Sequence, residues 1–256
     1  MTRIIDFSKY STIKIGSKRE VFIIDEIGDY SDFRIVGNAS NLLISPEANN
    51  LAILSKRFDY IKVENSHLFV GAKTSNGKLF SFCRQNSIAG FEFLSHLPGG
   101  VGGTLKMNAG VKSYEIFNNL VALKTAKGYI DRDKIDYGYR YSSIDEVIYE
   151  AVFKIEKGFS EELFYSLKNL RANQPKEPSA GSCFKNPQND FAGRLIEAVG
   201  LKGFCLNGAS FSEIHANFLV NLGSATYEDA LSLIELAKTR VFESFGIELK
   251  EEVVII

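Results

Sequence analysis

Residues Leu97–Gly110 read LPGGVGGTLKMNAG. Four glycines in the six residues Pro98–Gly103 let the backbone approach a ligand closely. Consecutive free N–H groups in such a turn form a concavity that holds an anion such as a diphosphate without lysines. A plain flexible loop is the other reading of the same residues. The stretch lacks the GK[ST] of a phosphate-binding loop and does not match GxGxxG, so neither of those nucleotide folds is supported.

Upstream lie short β-rich runs: Arg34 to Val36, Leu51 to Leu54, Tyr60 to Val63 and His67 to Val70. Asn49-Asn50 and Asn76-Gly77 read as turns between them. The segment GNASNLL, Gly37 to Leu43, follows a strand directly, where sheets bind ligands or simply turn. Downstream, Val147 to Ile155 is β-rich. After Gly158 the pattern changes. Ser160 caps a helical run, Phe191 to Val199 forms a short helix ended by Gly200, and Phe218 to Asn221 reads as a strand. Thr226 and Asp229 form a capping box for a helix whose apolar face is Ala230, Leu233, Ile234, Ala237, Val241 and Phe245, stopped by Gly246. The chain closes on the strand EEVVII. This places a boundary near residue 158, between a β-rich, turn-rich first part and a smaller α+β second part.

The 30 basic and 31 acidic residues leave a formal charge of −1. Bulk charge therefore recruits neither nucleic acid nor an anionic membrane, and an anionic ligand must be held by local groups. No apolar run is long enough to span a bilayer, and no secretory signal is visible. Cys83, Cys183 and Cys205 are too scattered for a disulfide framework or a zinc site and point to a reducing compartment. His67, His96 and His215 show no metal-ligand spacing, so no metal is expected. Arg140, in YGYRYSS, is either a surface stack or a guanidinium that forks onto a carboxylate. Ser182, in AGSCFKNP, has no GxSxG context, which argues against a hydrolase. Glu252, His215 and Asn217 are by themselves unremarkable.

The order of these segments is more informative than any one of them. GNASNLL, GFEFLSHLPGGVGGTLKMNAG, YGYRYSS, PSAGSCFKNP, LIEAVGLKGFCLNGASFSEIHANFLVN and a terminal EV together closely resemble the UDP-N-acetylenolpyruvoylglucosamine reductase family, from about Thr12 to Val253. That resemblance implies an FAD-binding domain of the vanillyl-alcohol-oxidase type over 1–158. A UDP-sugar-binding domain would cover 159–247, and the terminal strand, 248–256, would return to the first domain. It implies that Gly37, Asn38, Ala39, Ser40, Asn41 and Leu42, with Pro98, Gly99, Gly100, Val101, Gly102 and Gly103, cradle the FAD diphosphate. Asn108, Ala109 and Gly110 would lie along the flavin. Ser182 matches the family's proton donor, and Arg140 and Glu252 its charged catalytic partners. Lys185, Asn186 and His215 fall in segments that face the UDP-sugar. NADPH would be the diffusible hydride donor, and the protein a cytoplasmic monomer.

The sequence departs from the family in places. Ala39 stands for a common glycine, Gly100 for Thr or Ser, and Lys106 for an aromatic. The interval between Arg140 and Val147 is too short for the loop that carries a substrate-covering tyrosine in some members. An FAD-dependent sugar or alcohol oxidase would share GNASNLL and PGGVGG without needing AGSCFKNP. A non-catalytic flavin or nucleotide-sugar binder would need no Ser182.

Overall fold

The computed structural model describes residues 1–256 apart from Ala172. It is an α+β fold that divides into two compact units. The first contains Met1–Arg3, Val21–Asn38 and the chain from Asn50 through the helix Glu161–Leu170. The second contains Ile4–Glu20, Ala39–Asn49 and Asn173–Ile256.

In the first unit an antiparallel sheet runs in the order Gly128–Asp131, Leu120–Thr125, Glu150–Lys154, His67–Gly71, Ile61–Glu64. Its apolar side chains, among them Leu68, Val70, Phe153 and Leu123, are fully buried with Leu79, Phe91 and Phe117. Each such side chain contributes about 1.5–3 kcal/mol over its exposed state. A parallel set pairs Val21–Ile24 and Arg34–Ile35 with Leu51–Leu54. Glu150, in the central strand of the antiparallel sheet, accepts hydrogen bonds from Tyr60 and Tyr129, each at 2.5 Å. Burial, reinforced by the carboxylate, pushes the Tyr129 hydroxyl up to about 12.

Two elements differ from expectation. Asn76-Gly77 is not a turn but the first turn of a helix, Asn76–Gln85, because the Ser75 hydroxyl caps it by accepting from Lys78 N at 3.2 Å. The glycine stretch contains a short helix, Val101–Lys106, that no apolar periodicity announces.

The second unit carries a four-stranded sheet ordered Ser179–Ser182, Phe218–Asn221, Ala209–Phe211, Cys205–Leu206. The helices Ala192–Ala198 and Tyr227–Phe245 contribute Leu195, Ile196, Leu233, Ile234 and Val241 to its core. The Thr226–Asp229 capping box is present, and Gly246 ends the long helix in the left-handed conformation at φ 66°. Ile13, Ile15 and Leu43 join the same core. The strand Val254–Ile255 pairs in parallel with Leu42–Leu43.

The compact units therefore do not divide at residue 158. The helix Glu161–Leu170 stays with the first unit because Leu167 enters its core and Glu161 pairs with Arg84 at 2.7 Å. Glu92 adds an anchor. Its buried carboxylate accepts from Gly90 N at 2.8 Å and from Ser160 N, the helix cap, at 2.9 Å. The terminal strand pairs with the GNASNLL segment at Leu42–Leu43, and residues 39–43 of that segment group with the second unit.

Removing the Glu92 carboxylate leaves two part-buried N–H groups without that acceptor, each worth about 1–3 kcal/mol. Glu92→Ala is expected to lower unfolding stability by roughly 3 kcal/mol, measured as a shift in urea midpoint at unchanged slope.

Candidate active site

In the first unit, the glycine turn packs on residues 72–74. Val101 N–H and Gly102 N–H donate to Thr74 O and Ala72 O, each at 2.9 Å. A Cβ at Gly102 would stand 3.2 Å from Ala72 Cβ, and one at Gly100 would stand 3.4 Å from Thr74 O. These glycines thus serve close packing, and the expected row of consecutive free N–H groups is interrupted. Among the described residues, the N–H groups of Gly99, Gly100 and Gly103 have no protein acceptor. Gly103 faces open space, since a Cβ there would meet nothing within 4 Å. Pro98 is exposed and Gly99 holds φ 114°.

Asn76 braces both ends of this turn. It is fully buried, and its Nδ2 donates to Leu97 O at 3.2 Å and to Thr104 Oγ1 at 2.8 Å. Its main-chain N–H donates to Gly99 O at 3.0 Å. The sequence reading missed it because Asn-Gly looks like an isolated turn.

Asn108, Ala109 and Gly110 lie beside the hairpin that carries Arg140. Asn108 is also fully buried, and its Nδ2 donates to Gly138 O at 3.0 Å and to Glu115 Oε2 at 2.8 Å. Its side chain is therefore committed to the protein. Arg140 sits at the tip between strands Tyr137–Gly138 and Tyr141–Ser142 with φ 54°. Its Nη2 donates back to Gly110 O at 3.2 Å, and its guanidinium lies 5.0 Å from the Tyr139 ring centre. Lys106, the departure from the family's aromatic, donates to Ile144 O and pairs with Asp145 at 3.4 Å, while Ser142 Oγ donates to Lys106 O at 2.9 Å. A cation at this position thus ties the helix end to the hairpin.

Gly37 and Asn38 end the first unit's part of the GNASNLL segment. Gly37 is left-handed at φ 48° with open space where a Cβ would point. Ala39 is also left-handed at φ 48° and is buried, which explains why glycine is common there. In the second unit, Thr12 holds this turn through its N–H to Ala39 O at 3.2 Å and its hydroxyl to Ser40 O at 3.2 Å. Asn41 joins it to the chain terminus: Nδ2 donates to Glu252 O at 2.9 Å, and Asn41 O accepts from Val254 N at 2.9 Å. Leu42 follows as the strand partner of Val254.

Ser182 and Glu252 are brought together in the second unit. Glu252 N–H donates to Cys183 O, the carbonyl one residue beyond Ser182, at 2.8 Å. Ser182 is half-buried, and its hydroxyl makes no hydrogen bond to a described residue. Lys185, Asn186 and His215 lie in this unit too. Asn186 Oδ1 accepts from Ala192 N at 3.1 Å at the start of the helix Ala192–Ala198. The His215 ring stands over Gly193 in the same turn, where a Cβ would be 3.2 Å from Cε1. The Asn186 amide N–H groups and the Lys185 ammonium have no acceptor among the described residues. His215 Nδ1 accepts from Asn217 N–H at 3.2 Å, so the neutral ring carries its proton on Nε2.

This α+β fold is that of a known reductase along its full length. A crystal structure of UDP-N-acetylenolpyruvylglucosamine reductase from Thermus caldophilus matches with a TM-score of 0.86 at 29% identity, covering 100% of this chain and 99% of that one. Residues 174–256 match the family described as UDP-N-acetylenolpyruvoylglucosamine reductase, C-terminal domain. A curated reductase of that name from Helicobacter hepaticus is 52% identical over 100% of this chain and 99% of its own length. One from Campylobacter jejuni is 48% identical over 99% of this chain and 100% of its own. The chain belongs to the UDP-N-acetylenolpyruvoylglucosamine reductase family.

Burial holds the His215 pKa below the ordinary 6.5. The unfolded chain therefore takes up the proton first as pH falls. The stability that neutral His215 contributes is complete above about pH 6.5 and is lost as pH drops toward the depressed folded value. NMR titration of the ring is expected to give a midpoint below 6.5, and His215→Phe is expected to flatten the loss of unfolding free energy between about pH 7 and pH 5.

Proposed function

We propose that the protein reduces the enolpyruvyl ether of UDP-N-acetylglucosamine enolpyruvate to UDP-N-acetylmuramate, a step of peptidoglycan precursor synthesis. It does so with bound FAD and with NADPH as diffusible donor, as a cytoplasmic monomer. Family membership at 52% identity over the whole chain supports an oxidoreductase with this substrate. The observation that carries the residue-level reading is the juxtaposition of Ser182, its hydroxyl without a hydrogen bond among the described residues, with the Glu252 main chain bonded at Cys183 O.

The residues present fit FAD. Gly99, Gly100 and Gly103 offer N–H groups without acceptors among the described residues, and Gly37 and Gly103 leave space that a Cβ would occupy. These groups would hold the diphosphate. When bound, FAD would supply hydride-transfer chemistry between NADPH and the alkene of the substrate. Asn108, its side chain committed to Gly138 and Glu115, would contribute through the backbone it holds.

Arg140 is assigned to the substrate carboxylate, where charge collects as an enolate once hydride has added. A fixed guanidinium stabilises that charge more than it stabilises the ground state. Glu252 orients the carboxylate. Ser182 Oγ gives its proton to the carbon that bears the ether oxygen, and with the added hydride this completes the lactyl ether. The resulting alkoxide regains a proton from solvent. A serine hydroxyl is a weak acid, but the enolate carbon is strongly basic, so the transfer runs downhill. The donors on Lys185, Asn186 and the His215 Nε2–H are assigned to the UDP diphosphate.

Purified protein is expected to show a flavin spectrum and to turn over NADPH beyond reduction of its own flavin only when the enolpyruvyl substrate is present; a colourless protein without turnover would end the reading. Ser182→Ala is expected to slow substrate reduction by about 10²–10⁴-fold and to spare flavin reduction by NADPH in stopped flow. Equal damage to both half-reactions would remove Ser182 from the proton-donor role. Arg140→Ala is expected to slow substrate reduction by at least about 10²-fold, and unchanged turnover would remove Arg140 from the site.

A further inference from the structure

Ser182 lies where a regular strand pairing fails. Ser179 pairs with Val220 and Ser182 with Phe218, and the register shifts between them at a left-handed Gly181, φ 86°. Beyond Ser182 a side chain takes over the role of the neighbouring strand. Asn217 is 4% exposed. Its Oδ1 accepts from Phe184 N–H at 2.9 Å, and its Nδ2 donates to Phe184 O at 2.7 Å. Its main-chain O accepts from Cys183 N–H at 2.7 Å. One residue thus bonds the main chain of two successive residues beyond Ser182. On the opposite side, Cys183 O receives Glu252 N–H at 2.8 Å and Val253 N–H at 3.2 Å, and Phe184 bridges Glu251.

We propose that Asn217 is the positioning residue that fixes Ser182 in register with Glu252, by using its side-chain amide as a substitute peptide group against Phe184. The inference rests on the role proposed above for Ser182. It requires an amide, because only a group with an acceptor and a donor on one plane satisfies both Phe184 N–H and Phe184 O. A carboxylate of the same shape satisfies the N–H and sets a second oxygen against the Phe184 carbonyl. Asn217→Asp therefore changes the register lock without opening a cavity. Burial raises the pKa of the introduced carboxyl, and protonation restores a donor toward Phe184 O.

The test compares Asn217→Asp with the wild type and with Ser182→Ala, using FAD-loaded protein. Flavin reduction by NADPH is expected to be unchanged, and UDP-sugar affinity by calorimetry to stay within about threefold. Reoxidation by the enolpyruvyl substrate at neutral pH is expected to slow by about 10- to 100-fold, as for one buried acceptor left without its donor. Relative to wild type, that rate is expected to recover as pH falls from about 8 to about 5.5. In the double variant with Ser182→Ala, Asn217→Asp is expected to add little, since both changes act on one step. A normal reoxidation rate, equal slowing of both half-reactions, or fully additive effects would overturn the proposal. Where Asn217→Asp fails to fold, Asn217→Ser carries the same comparison of half-reactions and the same additivity criterion. Wild-type protein that cannot be reoxidised by the substrate would overturn the functional reading and this inference with it. Wild-type turnover beside an unaffected variant would overturn this inference alone.

Discussion

A site built on turns must satisfy the peptide groups that no helix or sheet ladder reaches, because each buried N–H or C=O left alone costs as much as a lost hydrogen bond. In this protein, asparagine amides meet much of that need. Asn76 serves Leu97 O beside the glycine turn, Asn108 serves Gly138 O beside Arg140, Asn41 serves Glu252 O, and Asn217 serves both groups of Phe184. An asparagine side chain is a primary amide with the donor and acceptor of a peptide unit. It can therefore stand in for a neighbouring strand where the chain turns too sharply to provide one.

These amides also help hold backbone that is costly by itself. Ala39, Asn108 and Arg140 are left-handed without being glycine, at φ 48°, 40° and 54°. Such residues cost of order 1–3 kcal/mol each and persist only where surrounding bonds over-determine them. Arg140 and Gly110 illustrate the bracing: Asn108 bonds the hairpin at Gly138, and Arg140 bonds back to Gly110 O. The guanidinium is thus aimed by two opposed hydrogen bonds between the same two segments, which limits its freedom before any ligand arrives.

Features set by local chemistry were legible in the sequence. The Thr226–Asp229 box and Gly246 bound the long helix as expected, and Leu51–Leu54 and Phe218–Asn221 are strands with the expected limits. Features set by distant partners were not. The helix Asn76–Gln85 begins with Asn-Gly, and its Asn76 side chain is turned inward by Thr104 and Leu97, 28 and 21 residues away. The grouping of residues 4–20 and 39–49 with the C-terminal part rests on Asn221 bonding to Ile13 O and on Val254 pairing with Leu42, which no periodicity signals. The glycine turn was half legible. Its composition announces close backbone approach, but only the packing on Ala72 and Thr74 separates the N–H groups used internally from those left for a ligand.

The residue next to Ser182 shows how the same register also selects against a rival. A cysteine thiol is a stronger acid than a serine hydroxyl, so an accessible Cys183 would compete with the proton donor proposed at Ser182. Successive side chains along extended backbone point to opposite faces. Ser182 is half-buried and its hydroxyl has no partner among the described residues, whereas Cys183 is 1% exposed and packed in the core. Burial raises the Cys183 thiol pKa, and the nearby Glu251 and Glu252 raise it further, so the thiolate is suppressed. A one-residue slip would exchange the two, turning the thiol outward and the hydroxyl into an apolar core. The hydrogen bond from Cys183 N–H to Asn217 O and the pair exchanged between the Asn217 amide and Phe184 oppose that slip, so the bonds that aim the serine also keep the cysteine inert.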